Sequence, residues 1–198
     1  MVRHSAASSC AALIAVLLIA RAGSPAAGGT ITGTVKVTGA APGADAVVFI
    51  QQASGKFEAP TAPVDMDQRK KEFVPHVLPI VAGTVVRFLN NDSTHHNVFS
   101  PDHERYNLGT WRRGKTKAYT FDKCTEFPCA YTQLCLLHPE MEAFIVVLQN
   151  PYFAVTDHKG GYEIANVPPG SYQLAVWRMK GKPLSKPVTV GARTTVTV

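Results

Sequence analysis

Residues 134–141 read LCLLHPEM and residues 90–100 read NNDSTHHNVFS. The first stretch places Cys135, His138 and Met141 at Cys-x-x-His-x-x-Met spacing, close enough together to share one tight turn. The second stretch supplies His96, with His95 beside it, and must reach the turn from a separate strand. One thiolate, two imidazoles and one thioether are thus available from two distant segments. A site made of them has to be built by the fold.

Those donor types suit a copper ion that alternates between Cu(I) and Cu(II). Soft sulfur holds the reduced state, imidazole nitrogen tolerates both states, and a weak axial thioether tunes the potential. Taken singly, each residue has a plainer explanation: Cys-x-x-His is also a fragment of zinc sites, and a methionine beyond a histidine is often a core filler. Zinc prefers cysteine and histidine without a thioether, and the chain offers no Cys-x-x-Cys or His-x-x-x-His pair to complete a tetrahedron. Copper is therefore preferred over zinc or no metal.

LCLLHPEM resembles the ligand loop of the cupredoxin family, in the short Cys-x-x-His-x-x-Met form of the amicyanins. VVRFLNNDSTHHNVF (85–99) resembles the family's strand and first ligand loop, with Asn90 six residues before His96 and His96-Asn97 in a His-Asn-Val setting. The resemblance covers roughly residues 70–150. It implies a cupredoxin-like Greek-key β-sandwich binding one copper ion through His96, Cys135, His138 and Met141. It also implies that Asn90 braces the Cys-bearing loop by hydrogen bonding, that Asn97 supports the ligands, and that His138 gives the electron its exit. Neighbouring residues on a strand point to opposite faces, so only one of His95 and His96 can face a metal. Periodicity leaves that choice open; the resemblance selects His96. His76, His103 and His158 lie in polar or Pro-rich contexts and read as exposed side chains.

The N-terminus indicates where the protein works. Arg3 precedes a short apolar run, Ala11 to Ala20, and Ser24, Ala26 and Ala27 supply small residues beyond it, the pattern of a secretory signal peptide over residues 1–27. A bilayer-spanning helix needs about 20 apolar residues, and Arg21 closes this run first. A retained anchor is the alternative. Cys10 lies inside the apolar run, so no lipid anchor is read from it. A periplasmic or secreted location follows.

Removing that segment leaves Cys124, Cys129 and Cys135 in an oxidising compartment. An odd count implies one free thiol. Cys124 and Cys129, in KCTEFPCAY (123–131), flank a short turn containing Pro128 and can form a disulfide if their side chains converge, leaving Cys135 for a metal. A Cys129–Cys135 bridge is the alternative and would consume the thiolate.

The rest of the chain reads as all-β. Runs such as TITGTVKV (30–37), AVVFIQ (46–51), TVVRFLN (84–90), KAYTFD (117–122), AFIVVLQ (143–149), YQLAVW (172–177) and TTVTV (194–198) are rich in β-branched and aromatic residues, with turn residues between them. This spacing predicts sandwich architecture. Phe144, Val146 and Leu148 read as one face of a strand leaving the metal turn, and Tyr172 and Trp177 as core anchors.

Residues 30–50 and 153–198 resemble the two parts of a transthyretin-like, carboxypeptidase-regulatory-type β-sandwich, through Gly33 to Val35, Ala46 to Val48, Thr156 to Tyr162 and Pro168 to Tyr172. The implied organisation is a second small β-sandwich in two pieces, 28–55 and 151–198, around a copper domain at 56–150. One extended cupredoxin with extra strands at both ends is the alternative. Asp157, Gly161 and Pro168 to Gly170 read as turn residues.

The formal net charge is +6, and losing Arg3 and Arg21 with the signal brings it to +4. Arg112, Arg113, Lys115 and Lys117 cluster beside Trp111. A solvated hairpin explains them; a surface steering an acidic redox protein partner, or peripheral association with an anionic membrane, is the functional reading. Export and the lack of a recognised motif argue against nucleic acid. The expectation is a monomeric, exported type 1 (blue) copper protein that carries single electrons. It is not an enzyme, since there is no His-x-His pair and four protein ligands leave no position for substrate. A metal-free structural sandwich and a copper storage or delivery protein are the rivals.

Overall fold

The computed structural model describes residues 27–37 and 43–198. Most of the segment read as a signal peptide, with Cys10, lies outside the described residues. Among those described, no helix is long and apolar enough to cross a membrane.

Sixteen strands make up the fold. They are β1 (Gly29–Thr34), β2 (Val47–Ile50), β3 (Val64–Arg69), β4 (Glu72–Val74), β5 (Val77–Val81), β6 (Val85–Leu89), β7 (His96–Ser100) and β8 (Tyr106–Trp111). There follow β9 (Thr116–Thr120), β10 (Cys129–Leu134), β11 (Glu142–Leu148), β12 (Phe153–Val155), β13 (Gly161–Val167), β14 (Gly170–Trp177), β15 (Leu184–Val190) and β16 (Thr195–Thr197). The all-β expectation holds.

The strands form four sheets, ordered β13-β1-β16, β12-β2-β14-β15, β5-β11-β10-β7-β8 and β4-β3-β6-β9. The first two enclose a core of Ile31, Val48, Ile50, Ile164, Val167, Leu174, Val188 and Val190, with Tyr172 packed against it. The last two enclose a larger core containing Met66, Phe88, Val98, Trp111, Phe121, Tyr131, Ile145 and Val147. Strands β3 to β11 thus build one sandwich, and the strands before and after them build the other.

A third apolar layer joins the two sandwiches. Val47, Phe49 and Ala175 pack on Val77, Phe144, Val146 and Leu148, with Trp177 at the margin. β11 therefore buries both faces: Phe144, Val146 and Leu148 face this layer, while Ala143, Ile145 and Val147 face the larger core. That accounts for its unbroken apolar run, the pattern of a strand covered on both sides. Each large side chain so buried contributes about 1.5–3 kcal/mol.

The chain leaves and re-enters the smaller sandwich at neighbouring points. The Asn150 side chain donates to the Ile50 carbonyl at 2.9 Å, and Gln149 exchanges two 3.1 Å hydrogen bonds with the Ala53 backbone. The segment 112–115 differs from the expected hairpin. β8 and β9 lie in different sheets, so the turn at Gly114 (φ 73°) is a corner crossing between them.

Candidate metal centre

The register places the two ligand segments at one end of the larger sandwich. β10 and β7 are antiparallel with Leu134 opposite Phe99, so the residues after β10 run back towards His96 at the start of β7. The Met141 N–H donates to the His138 carbonyl at 3.0 Å and closes the turn before β11 begins. The two histidines separate where the strand begins: His96, the first residue of β7, is fully buried, and His95, just before it, is exposed.

Cys135, His96 and His138 converge. Cys135 Sγ lies 3.9 Å from His96 Nδ1 and 3.7 Å from His138 Nδ1, and the three atoms lie within 4.8 Å of one another. Donors roughly 2.0–2.3 Å from one first-row ion, set trigonally around it, stand about 3.7 Å apart. The spacing therefore fits a single shared ion. Met141 is buried in the same apolar cluster as Cys135. His138 is half-buried, flanked by Leu136 and Leu137, which are 62% and 50% exposed.

Cys135 is the free thiol. Cys124 and Cys129 form the disulfide, with Cα atoms 6.0 Å apart, so the bridge that would have consumed Cys135 does not form. The Asn97 N–H donates to Cys135 Sγ at 3.4 Å, and Asn97 Oδ1 accepts from the Leu136 N–H at 3.3 Å. The Asn97 amide nitrogen donates to Asn107 Oδ1 and the Gly109 carbonyl, which ties the Cys-bearing loop to β8.

Asn90 plays a different part from the one expected. Its amide donates to the Thr94 and Trp111 carbonyls, each at 3.0 Å, and its Oδ1 accepts from the Asp92 N–H. It fixes the loop ahead of His96 and makes no hydrogen bond to the Cys-bearing loop. The reason is position: Asn97, on the strand beside the Cys-bearing loop, takes the bonds to Cys135 Sγ and the Leu136 N–H.

Sequence reasoning missed Asp92. Its Oδ2 lies 3.0 Å from His96 Nε2 and 2.8 Å from the Lys71 N–H, while its Oδ1 takes the Ser93 N–H. The Lys71 N–H does most to hold the Asp92 carboxyl at about 2, with His96 and Ser93 adding to it against burial. An ionised carboxylate only accepts, so Nε2 of a neutral His96 carries the proton and Nδ1 presents its lone pair to Cys135. Burial pushes the His96 imidazole below its usual range, against the pull of Asp92, and the nearby His138 lowers it further. The only signal in the sequence was a polar residue four places before a histidine, which is too common to be read.

Among the described residues, the remaining histidines lie outside the centre. His76 is exposed and contacts Asp45 Oδ2 at 3.0 Å. His103 is exposed, with its ring 4.6 Å from that of Tyr131, and His158 is exposed on a turn.

No family model matches this chain, and no curated protein matches it. Solved structures do show likeness. The copper-containing nitrite reductase of Thermus scotoductus SA-01 is 26% identical over 51% of this chain, with a TM-score of 0.42; the chain spans about a quarter (26%) of that protein. A purple cupredoxin from Nitrosopumilus maritimus is 22% identical over 42% of this chain and 98% of its own, with a TM-score of 0.38. Amicyanin from Paracoccus versutus is 19% identical over 50% of this chain and 96% of its own, with a TM-score of 0.39. Each of these likenesses covers about half of this chain or less.

Proposed function

We propose that this chain is an exported type 1 (blue) copper protein that carries single electrons between redox partners. One observation carries the reading: a buried thiol outside the disulfide has an imidazole Nδ1 at 3.9 Å and another at 3.7 Å, drawn from two distant segments. Copper bound here supplies a one-electron couple. Cys135, His96 and His138 would hold it, with Met141, buried in the same apolar cluster as Cys135, as a weak fourth donor. Asp92 fixes the His96 tautomer, and Asn97 locks the sulfur in place with its own N–H. These hydrogen bonds fix the donors in advance, so little has to move when the electron does.

His138, half-buried just after two exposed leucines, is the electron's route to a partner. The Cys124–Cys129 disulfide supports export to the periplasm or the medium. In this reading residues 56–150 are a copper domain inserted in a small sandwich formed by 28–55 and 151–198, and the paired hydrogen bonds of Gln149 and Asn150 support the insertion. The test is to load the mature protein with Cu(II) and record an intense blue charge-transfer band that bleaches on reduction and returns on oxidation. Tight Cu(I) binding without reversible oxidation would make it a storage or delivery protein. No copper uptake would leave a structural sandwich.

A further inference from the structure

Six cations, Lys70, Lys71, Arg112, Arg113, Lys115 and Lys117, come from two separate segments of the sequence, and the fold brings them to one edge. The Gly114 N–H donates to the Asn90 carbonyl at 2.8 Å, the Asn91 N–H to the Gln68 carbonyl at 3.1 Å, and the Lys71 N–H to Asp92 at 2.8 Å. The turns bearing the cations are thereby fixed against the loop that leads into His96. All six residues are exposed, and among the described residues none forms an ion pair, whereas Arg69 beside them is paired with Asp67.

The backbone of the Lys70-Lys71 turn is a second, independent observation. Arg69 pairs with Glu72, so the two lysines form a two-residue hairpin loop, with φ of 53° and 60°. A loop with two left-handed residues is normally Asn-Gly, because a Cβ is disfavoured there. Both side chains are exposed, so no burial compensates for the strain. Strain kept without a packing gain points to a role for the charges. The turn also faces inward, since the oxygen that takes the Lys71 N–H is the one 3.0 Å from His96.

Resting on the proposed function, we infer that this cationic crescent is the docking surface for an acidic protein that exchanges electrons with the centre. Leu136 and Leu137, exposed on the metal loop just before His138, offer an apolar contact, and an apolar contact with a charged rim is the anatomy of a protein interface. Five of the charges sit on short, hydrogen-bonded turns, and Lys117 is fixed in β9 opposite Phe88. Fixed geometry of this kind suits matched charge pairs on a folded partner, while a fluid lipid surface needs none.

The test uses an acidic c-type haem protein as the probe, with a basic one as control. Stopped-flow exchange with the copper-loaded chain should be fast with the acidic probe at low salt and fall steeply with ionic strength. Arg112→Glu with Arg113→Glu should slow it about 10-fold without altering the absorption band. Lys70→Asn should slow it less while raising the thermal midpoint, because it removes a charge and relieves the turn together. Equal rates with both probes, rates indifferent to salt, or charge variants without effect would overturn the surface. So would anionic phosphatidylglycerol vesicles that bind the chain while the acidic protein does not. Amide shifts of the metal-free chain titrated with the acidic probe keep the two ideas separable. Shifts at the six cations in a chain that never turns blue would sink the proposed function alone; a blue chain without those shifts would sink the surface alone.

Discussion

The two sandwiches use the same polar residue types for different ends. In the smaller one, Thr156 Oγ1 accepts the Ala46 N–H at 3.0 Å and donates to the Gly43 carbonyl, and Asp157 takes the N–H groups of Lys159 and Gly161. Those side chains satisfy backbone, Asp157 within its own turn and Thr156 across to residues 43–46, and neither bond aims a side chain. In the larger one, Asn90, Asp92 and Asn97 also satisfy backbone groups, but each bond fixes a loop that carries a donor atom. A turn becomes a site where its hydrogen bonds aim side chains.

The sharpest way to break this contrast is Cys135→Ser, which should abolish the blue band completely while leaving the far-UV circular dichroism of both sandwiches in place. A variant that stays blue would refute the thiolate. Next in size is Phe144→Ala, in the layer that joins the sandwiches, which should cost about 3–5 kcal/mol in chemical denaturation. If the layer makes them one cooperative unit, the two halves lose structure in a single transition that moves as a whole. Two separated transitions would show that each half stands alone.

Asp92→Ala should weaken copper binding about 10–100-fold in a competition titration, since His96 loses the acceptor that fixes its ring. Thr156→Val, its counterpart in the smaller sandwich, should cost about 1–3 kcal/mol by leaving buried backbone groups unpaired, with no change in copper affinity or colour. Asp92 also provides the smallest effect. Its carboxyl is held at about 2, below the unfolded value, so its contribution is fully present above the unfolded value and is lost as the pH falls through about 2. Metal-free protein should lose about 1–2 kcal/mol over that acid range, a modest amount given the partial exposure of the group, and Asp92→Ala should remove that part of the slope.

The strands that are easy to read in the sequence are those with dense apolar or β-branched character, such as β2, β11 and β14. β3 reads VDMDQR and gives no such signal, because Asp67 and Gln68 are buried through partners supplied by Asn91, Arg69 and Leu89. The 112–117 segment suggested a hairpin because its two flanking runs are close in sequence. Sheet membership is a long-range property, and it turned that segment into a corner.

What the sequence alone determined is composition and local pattern: an all-β chain, candidate thiol, imidazole and thioether donors at close spacing, and three cysteines near one another between residues 124 and 135. Those are properties of residue type and near-neighbour spacing, which survive without a fold. The tertiary structure decided which histidine turned inward, that Asn97 rather than Asn90 reached the sulfur, that Asp92 sat behind His96, and that two basic turns shared an edge. Each of those depends on how distant strands pair, and a one-residue shift of β7 would send His96 and Asn97 to the opposite faces.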